Sequence, residues 1–223
     1  KATFVLAKDP SHESTGDLTM AKLVIEMARE SYQTQVICLS AQPESTADAY
    51  VRVAKPALDP RTILTTSLRV RRSLVHARFL VPGVTAAVDN TESDIFVADH
   101  CYMAESVLAS RRFRESAPGQ SPLAVSTVVP EALVWKATRG ILGRLDARRI
   151  VRDEIRVARS AYTVGAYDAE ETRFYADLGA EMLGAPVIGI YPTNPWPELQ
   201  YIVRHCGARV VFTCERHAAQ GAR

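Results

Sequence analysis

The chain has 223 residues, 47% of them apolar and 7% aromatic, with 27 Lys and Arg against 25 Asp and Glu for a net charge of +2. That length carries one large core or two small ones, and the composition is that of an ordinary globular protein. A balance so near neutral excludes nucleic acid as an expected partner. No apolar run reaches the ~18 to 20 residues of a bilayer-spanning helix, so membrane contact is expected to be peripheral at most.

Four cysteines, Cys38, Cys101, Cys206 and Cys214, are scattered without C-x-x-C spacing, and no secretory leader pattern is present. A reduced, cytoplasmic chain is the expectation. It opens on Lys1 directly ahead of a strand, as a fragment would.

Strand-like and helix-like runs alternate through the first three quarters. Residues 2–7 (ATFVLA) are a nearly continuous apolar run of the kind a strand covered on both faces requires. A loop over 8–17, punctuated by Pro10 and Gly16, leads to a predicted helix over 18–29, with Ala21, Val24 or Ile25, and Ala28 on one face and Asp17 as its N-cap. Strands are predicted over 35–39 and 50–54, then a helix over 63–75. A strand over 94–98 (DIFVA) precedes a helix over 104–109, and a further strand covers 123–129. Over 146–162, Ala147, Val151, Ile155, Ala158 and Tyr162 recur at helical spacing and predict an apolar stripe, with Arg148, Arg152, Arg156 and Arg159 on another face. Arg is dense between 139 and 159, and that patch either meets a phosphate or forms a solvated helix face. This rhythm predicts an α/β fold: a doubly wound, mostly parallel, Rossmann-like sheet, incomplete, with a C-terminal βαβ appendage.

Ligands of such sheets bind beyond the carboxyl ends of the strands. Three loops there carry suitable groups: Ser14-Thr15-Gly16-Asp17, Asp99-His100-Cys101 and Val129-Pro130-Glu131. Gly16 lets a ligand approach the backbone beside the amide donors of a helix start. Each loop also has a plainer reading, since strand-to-helix turns use Gly, Asp and Glu merely to turn and cap. His100 either faces the crevice or satisfies a carbonyl in the core. In the crevice it is expected to titrate near about 6.5; in the core, burial is expected to depress it. No P-loop, G-x-G-x-x-G, H-E-x-x-H or G-x-S-x-G motif is present. The Cys206, Cys214, His205 and His217 spacing fits no zinc site, so neither metal nor cofactor is expected.

The run AKDPSHESTGDLTMAKLVIEMARE, then DIFVADHCYMAE and AYTVGAYDAEETRFY, resemble the N-terminal Rossmann-like domain of retaining GT-B glycosyltransferases over residues 1–170. The resemblance implies sugar transfer from a nucleotide-sugar donor to an unknown acceptor. Thr15, Gly16, Asp17, His100 and Glu131 then lie on the substrate side, and His100 matches the loop His that contacts the transferred sugar. The donor site belongs to a second domain that nothing here resembles, so the chain is expected to be inactive alone.

Residues 175–213, above all GIYPTNPW followed by a helix and GARVVF, resemble adenylate-forming long-chain acyl-CoA synthetases. They read as a helix over 176–183, a strand over 186–190, a helix from about 197 and a strand over 209–213. The division expected is 1–170 and 171–223, with limited proteolysis cutting first near 179–184 or beyond 212. The alternatives to the transferase are a truncated fatty-acid-activating ligase and the product of a fused or decayed reading frame.

Overall fold

The computed structural model describes residues 1–46, 48–57, 59–116, 122–127 and 130–166, with the backbone of Val187–Gly189. In chain order the elements are β1 (Ala2–Leu6), α1 (Gly16–Arg29), β2 (Thr34–Ser40), β3 (Val51–Ala54), α2 (Pro60–Val70), α3 (Leu74–Arg78), α4 (Pro82–Asn90), β4 (Ile95–Asp99), α5 (Ala104–Leu108), α6 (Arg111–Arg114), β5 (Leu123–Thr127), α7 (Glu131–Thr138), α8 (Gly140–Ser160), β6 (Thr163–Ala166) and β7 (Val187–Gly189). The strands form one sheet in the order β3-β2-β1-β4-β5-β6-β7, and every pair is parallel. This is an α/β, doubly wound, Rossmann-like fold. Successive strands run outward from β1 to one edge and then from β4 to the other, so β1 and β4 flank the switch point where such sheets open a crevice.

Alternation along the strands divides the apolar side chains between two cores. Phe4, Leu6, Val36, Cys38 and Val97 pack with Leu18, Ala21 and Ile25 of α1. Val5, Ile37, Leu39, Phe96 and Val125 face the larger core built with α3, α4, α5 and α8. Burial on both faces explains why the inner strands read as unbroken apolar runs.

The predicted helix over 63–75 is two helices. Asp59 caps α2, its carboxylate accepting from the amides of Arg61 at 3.2 Å and Thr62 at 3.0 Å, ahead of Pro60 in the first turn. The helix stops because Arg71 turns left-handed at φ 55°. α3 then starts on acids supplied from α8: Asp153 accepts from the Ser73 amide at 2.6 Å and Asp146 from the Leu74 amide at 2.7 Å. Carboxylates at these otherwise unpartnered amides complement the positive end of a helix.

That arrangement also rotates α8 relative to its predicted stripe. Its buried residues are Gly143, Asp146, Ile150, Asp153, Glu154, Val157 and Ala158, whereas Ala147, Val151 and Ile155 are only half-buried and Tyr162 lies past the helix end. The acids turn inward because backbone amides await them, which periodicity of apolar residues alone does not register. On the other side, Arg149 donates to the Ser67 hydroxyl at 2.9 Å and also to the Arg72 carbonyl, while Arg152 donates to the Arg71 carbonyl at 2.7 Å. Two arginines of the dense patch thus satisfy carbonyls where α2 ends.

Gly140, at φ 55°, makes the turn between α7 and α8. Gly143 then lets α8 pass close over the end of α7: a Cβ there would collide with the Trp135 carbonyl oxygen and stand 2.7 Å from the Arg139 Cβ. Gly143→Ala is therefore expected to destabilise the protein by about 1–3 kcal/mol, as overpacking does, despite the better helix propensity of Ala. A urea melt no worse than wild type would refute the close approach.

β7 lies in the segment assigned by sequence to the C-terminal tail, and it pairs with β6 in the same sheet, Val164 opposite Val187. The remainder of the predicted tail unit, with Cys206, Cys214, His205, His217 and the expected cleavage sites, lies outside the described residues.

Candidate functional site

At the carboxyl ends of β1 and β4 and the start of α7, the chain brings Asp17, Asp99, His100 and Glu131 together. His100 follows β4 directly in a left-handed backbone, φ 68°, which residues other than glycine seldom adopt. Its amide donates to the Ser126 carbonyl at 2.7 Å, tying the turn to β5. The side chain is 4% exposed and stacks on Tyr102, centroids 4.9 Å apart with the planes at 11°. Tyr102 in turn stacks on Phe79 at 4.3 Å. Two aromatic layers thus fix the plane of the imidazole.

Three carboxylates ring it. His100 Nε2 lies 3.8 Å from Asp17 Oδ2 and 4.0 Å from Asp99 Oδ1, and Nδ1 lies 4.0 Å from Glu131 Oε1. These are charge contacts too long for hydrogen bonds, and among the described residues neither ring nitrogen has a hydrogen-bond partner. At these distances the carboxylates act on the ring through charge, and both ring nitrogens are shielded from solvent. The side of the cluster toward solvent is Asp17, 21% exposed, and Glu131, 13% exposed. Below Asp99 a mostly apolar recess runs between α1 and the sheet, lined also by Phe4, Leu6, Ala21, Val24, Val97 and Ser126.

Asp17 is not the predicted N-cap. Thr15 occupies that position with extended backbone, and Asp17 lies in the first turn. Its carboxylate turns instead to Lys8, at 2.6 Å from Nζ, which also donates to the Thr15 hydroxyl at 3.1 Å. A charged ammonium outcompetes a neutral amide for it. Gly16 opens α1, and a Cβ there would meet nothing within 4 Å; no neighbour demands glycine at this position.

The electrostatics follow from this packing. The adjacent His100, then Lys8 and Thr15, hold the Asp17 carboxyl well below the usual carboxylate range in spite of burial. For His100, burial disfavours the charge, but Asp17, Asp99 and Glu131 outweigh it and raise the imidazole above its ordinary value. The sequence expectation tied a core location to a depressed histidine; burial among three acids reverses the sign. Burial pushes Asp99 up to about 6. It also raises Glu131, which His100 partly counters. Behind Glu131, the Glu154 carboxyl accepts from the Glu131 amide at 3.0 Å, and burial pushes it up to about 8. One firmly ionised acid, a histidine that keeps its proton to raised pH and two acids with raised values make a set able to donate and accept together. Among the described residues no group of three His, Cys, Asp or Glu is arranged to hold a metal ion.

Lys8, Tyr102 and Glu154 escaped sequence reading. A lysine just past a buried strand was the one available signal for Lys8. Glu154 carries none, since an acid within a helix reads as solvated until its amide partner is known. No protein-family profile and no curated protein matches the chain.

Proposed function

We propose that this chain is the acceptor-side domain of a glycosyltransferase, moving sugar from a nucleotide-sugar donor to an acceptor in the intact enzyme. The observation that carries the reading is the His100 cluster: a buried imidazole with unbonded nitrogens, ringed by Asp17, Asp99 and Glu131 at 3.8–4.0 Å, beside the switch point of a doubly wound sheet. Carboxylates that accept and an imidazolium that donates match the paired donor and acceptor of sugar hydroxyls. The same acids repel phosphate, so the cluster favours the neutral sugar portion over the diphosphate. His100 is assigned to orient a sugar hydroxyl, Asp17 and Glu131 to accept from neighbouring ones, and Thr15 and Gly16 to border them at the start of α1. The donor diphosphate would be held by groups of a second domain. The fatty-acid ligase rests on residues outside the described set and gains no support from this cluster.

The test is ligand-observed NMR with methyl glycosides and common UDP- and GDP-sugars. Saturation transfer to the sugar ring protons is expected for the wild-type chain, without turnover. It should be lost in His100→Asn, chosen because Asn tolerates the left-handed backbone, and reduced about tenfold or more in Asp17→Asn, which removes a charge-assisted acceptor. Transfer that persists unchanged in a folded His100→Asn variant, or none with any sugar, overturns the assignment.

A further inference from the structure

The tip of the α7–α8 hairpin presents apolar side chains to solvent: Leu133 is 51% exposed, Ile141 76%, Leu142 68% and Leu145 70%. On α8, Leu145 lies three and four residues beyond Leu142 and Ile141, so these three share one face. Every strongly exposed charge around them is positive, namely Lys136, Arg139, Arg144 and Arg148. The acids of the same stretch are turned inward: the Glu131 side chain is 13% exposed, and Asp146 is buried beside the α3 start. Trp135 is half-buried at the root of the tip with the Arg139 guanidinium 5.7 Å from its ring centre.

We propose that this tip docks on an anionic lipid surface, seating Ile141, Leu142 and Leu145 among the headgroups with Lys136, Arg139, Arg144 and Arg148 over the phosphates. Charge decides the occupant. A second copy meeting the same patch about a two-fold axis would set cation against cation, whereas an anionic headgroup layer attracts all four and accepts large apolar side chains beneath them. Trp135 suits the headgroup level, where indole rings concentrate. Among the described residues no helix is long and apolar enough to cross a membrane, so the hairpin would lie at the surface.

The full chain is to be floated with vesicles of phosphatidylglycerol mixed with phosphatidylcholine, and with phosphatidylcholine alone. Binding is expected to the anionic vesicles, weakening with added salt. Arg144→Gln and Arg148→Gln are each expected to lower partitioning about fivefold. The double variant Leu142→Glu with Leu145→Glu is expected to lower it by about tenfold or more. These positions face solvent, so the variants should keep the wild-type circular dichroism. His100→Asn is expected to bind vesicles as wild type does, which separates this proposal from the sugar-transfer reading. No binding to anionic vesicles at low salt, equal binding to neutral ones, or a concentration-dependent dimer abolished by the Leu142/Leu145 variant would overturn it.

Discussion

Replacing Arg52 with Met is expected to destabilise the protein by about 3–5 kcal/mol, as breaking one side of a buried ion pair does. The Arg52 side chain is 1% exposed and Asp9 0%. The guanidinium donates to Asp9 Oδ2 at 2.8 Å, to the Ser45 carbonyl at 3.0 Å and to Asp48 Oδ2 at 2.9 Å. Asp9 also accepts from the Ser40 hydroxyl at 2.7 Å and the Ser11 amide at 2.9 Å. Burial pushes the Asp9 carboxyl upward, but these bonds, Arg52 first, hold it below its ordinary value. Without Arg52 an ionised carboxylate stays enclosed with only neutral donors, a loss comparable to much of the 5–15 kcal/mol that holds a typical domain together. Adding Asp9→Asn to Arg52→Met removes the stranded charge and should recover roughly half of the loss. Urea melts of both variants provide the check, and a single variant within about 1 kcal/mol of wild type would show that the pair contributes little.

The consequence reaches the site. Asp9 lies in the loop between β1 and α1, and Arg52 on β3 pins it across the end of β2. Lys8, immediately before, and Thr15 and Asp17, after, are thereby set against His100. Lys55 secures the same loop through Glu13 at 2.6 Å. A loosened loop moves Asp17 away from the imidazole, so Arg52→Met should also let the His100 titration fall from its raised value.

What was legible in the sequence follows from which forces are local. β1, β2, β4 and β5 were found within two residues at each end wherever those ends are described, because burial on both faces writes an apolar run into the chain itself. The break between α2 and α3 was not found: Arg71 is no turn residue by type, and the acids that start α3 lie more than 70 residues away on α8. Asp17, His100 and Glu131 stood out because each lies at a strand-to-helix junction, where topology and sequence coincide. Their mutual distances did not, since these depend on the order β1-β4-β5, in which strands distant in sequence become neighbours. The inward turn of the α8 acids is hidden for the same reason, because the amides they accept from belong to other elements of the chain.

Glu154 gives the prediction with the clearest pH signature. The residue is 1% exposed, one carboxyl oxygen accepts from the Glu131 amide, and the other has no partner among the described residues. Burial carries it from 4.5 up to about 8. Between those values the folded state binds more protons than the unfolded state, so stability falls as pH rises through that window. Asp99, raised to about 6, and His100, raised above 6.5, act in the same direction. Asp9 and Asp17, held low, act oppositely and lose their contribution as pH falls below about 3.8. Maximum stability is therefore expected in mildly acidic solution. Glu154→Gln isolates one member of this set, because the amide oxygen can still accept from Glu131 while no proton is exchanged. At pH 5, where Glu154 is protonated and neutral, variant and wild type should agree within about 1 kcal/mol. At pH 9 the wild type encloses a charge and the variant does not, and Gln should be the more stable by roughly 2–4 kcal/mol. Urea unfolding at the two pH values measures the difference directly, with the contributions of Asp99 and His100 common to both proteins. A stability gap that does not change between pH 5 and pH 9 would mean that Glu154 ionises as freely folded as unfolded, and that the acids behind the His100 cluster are solvated after all.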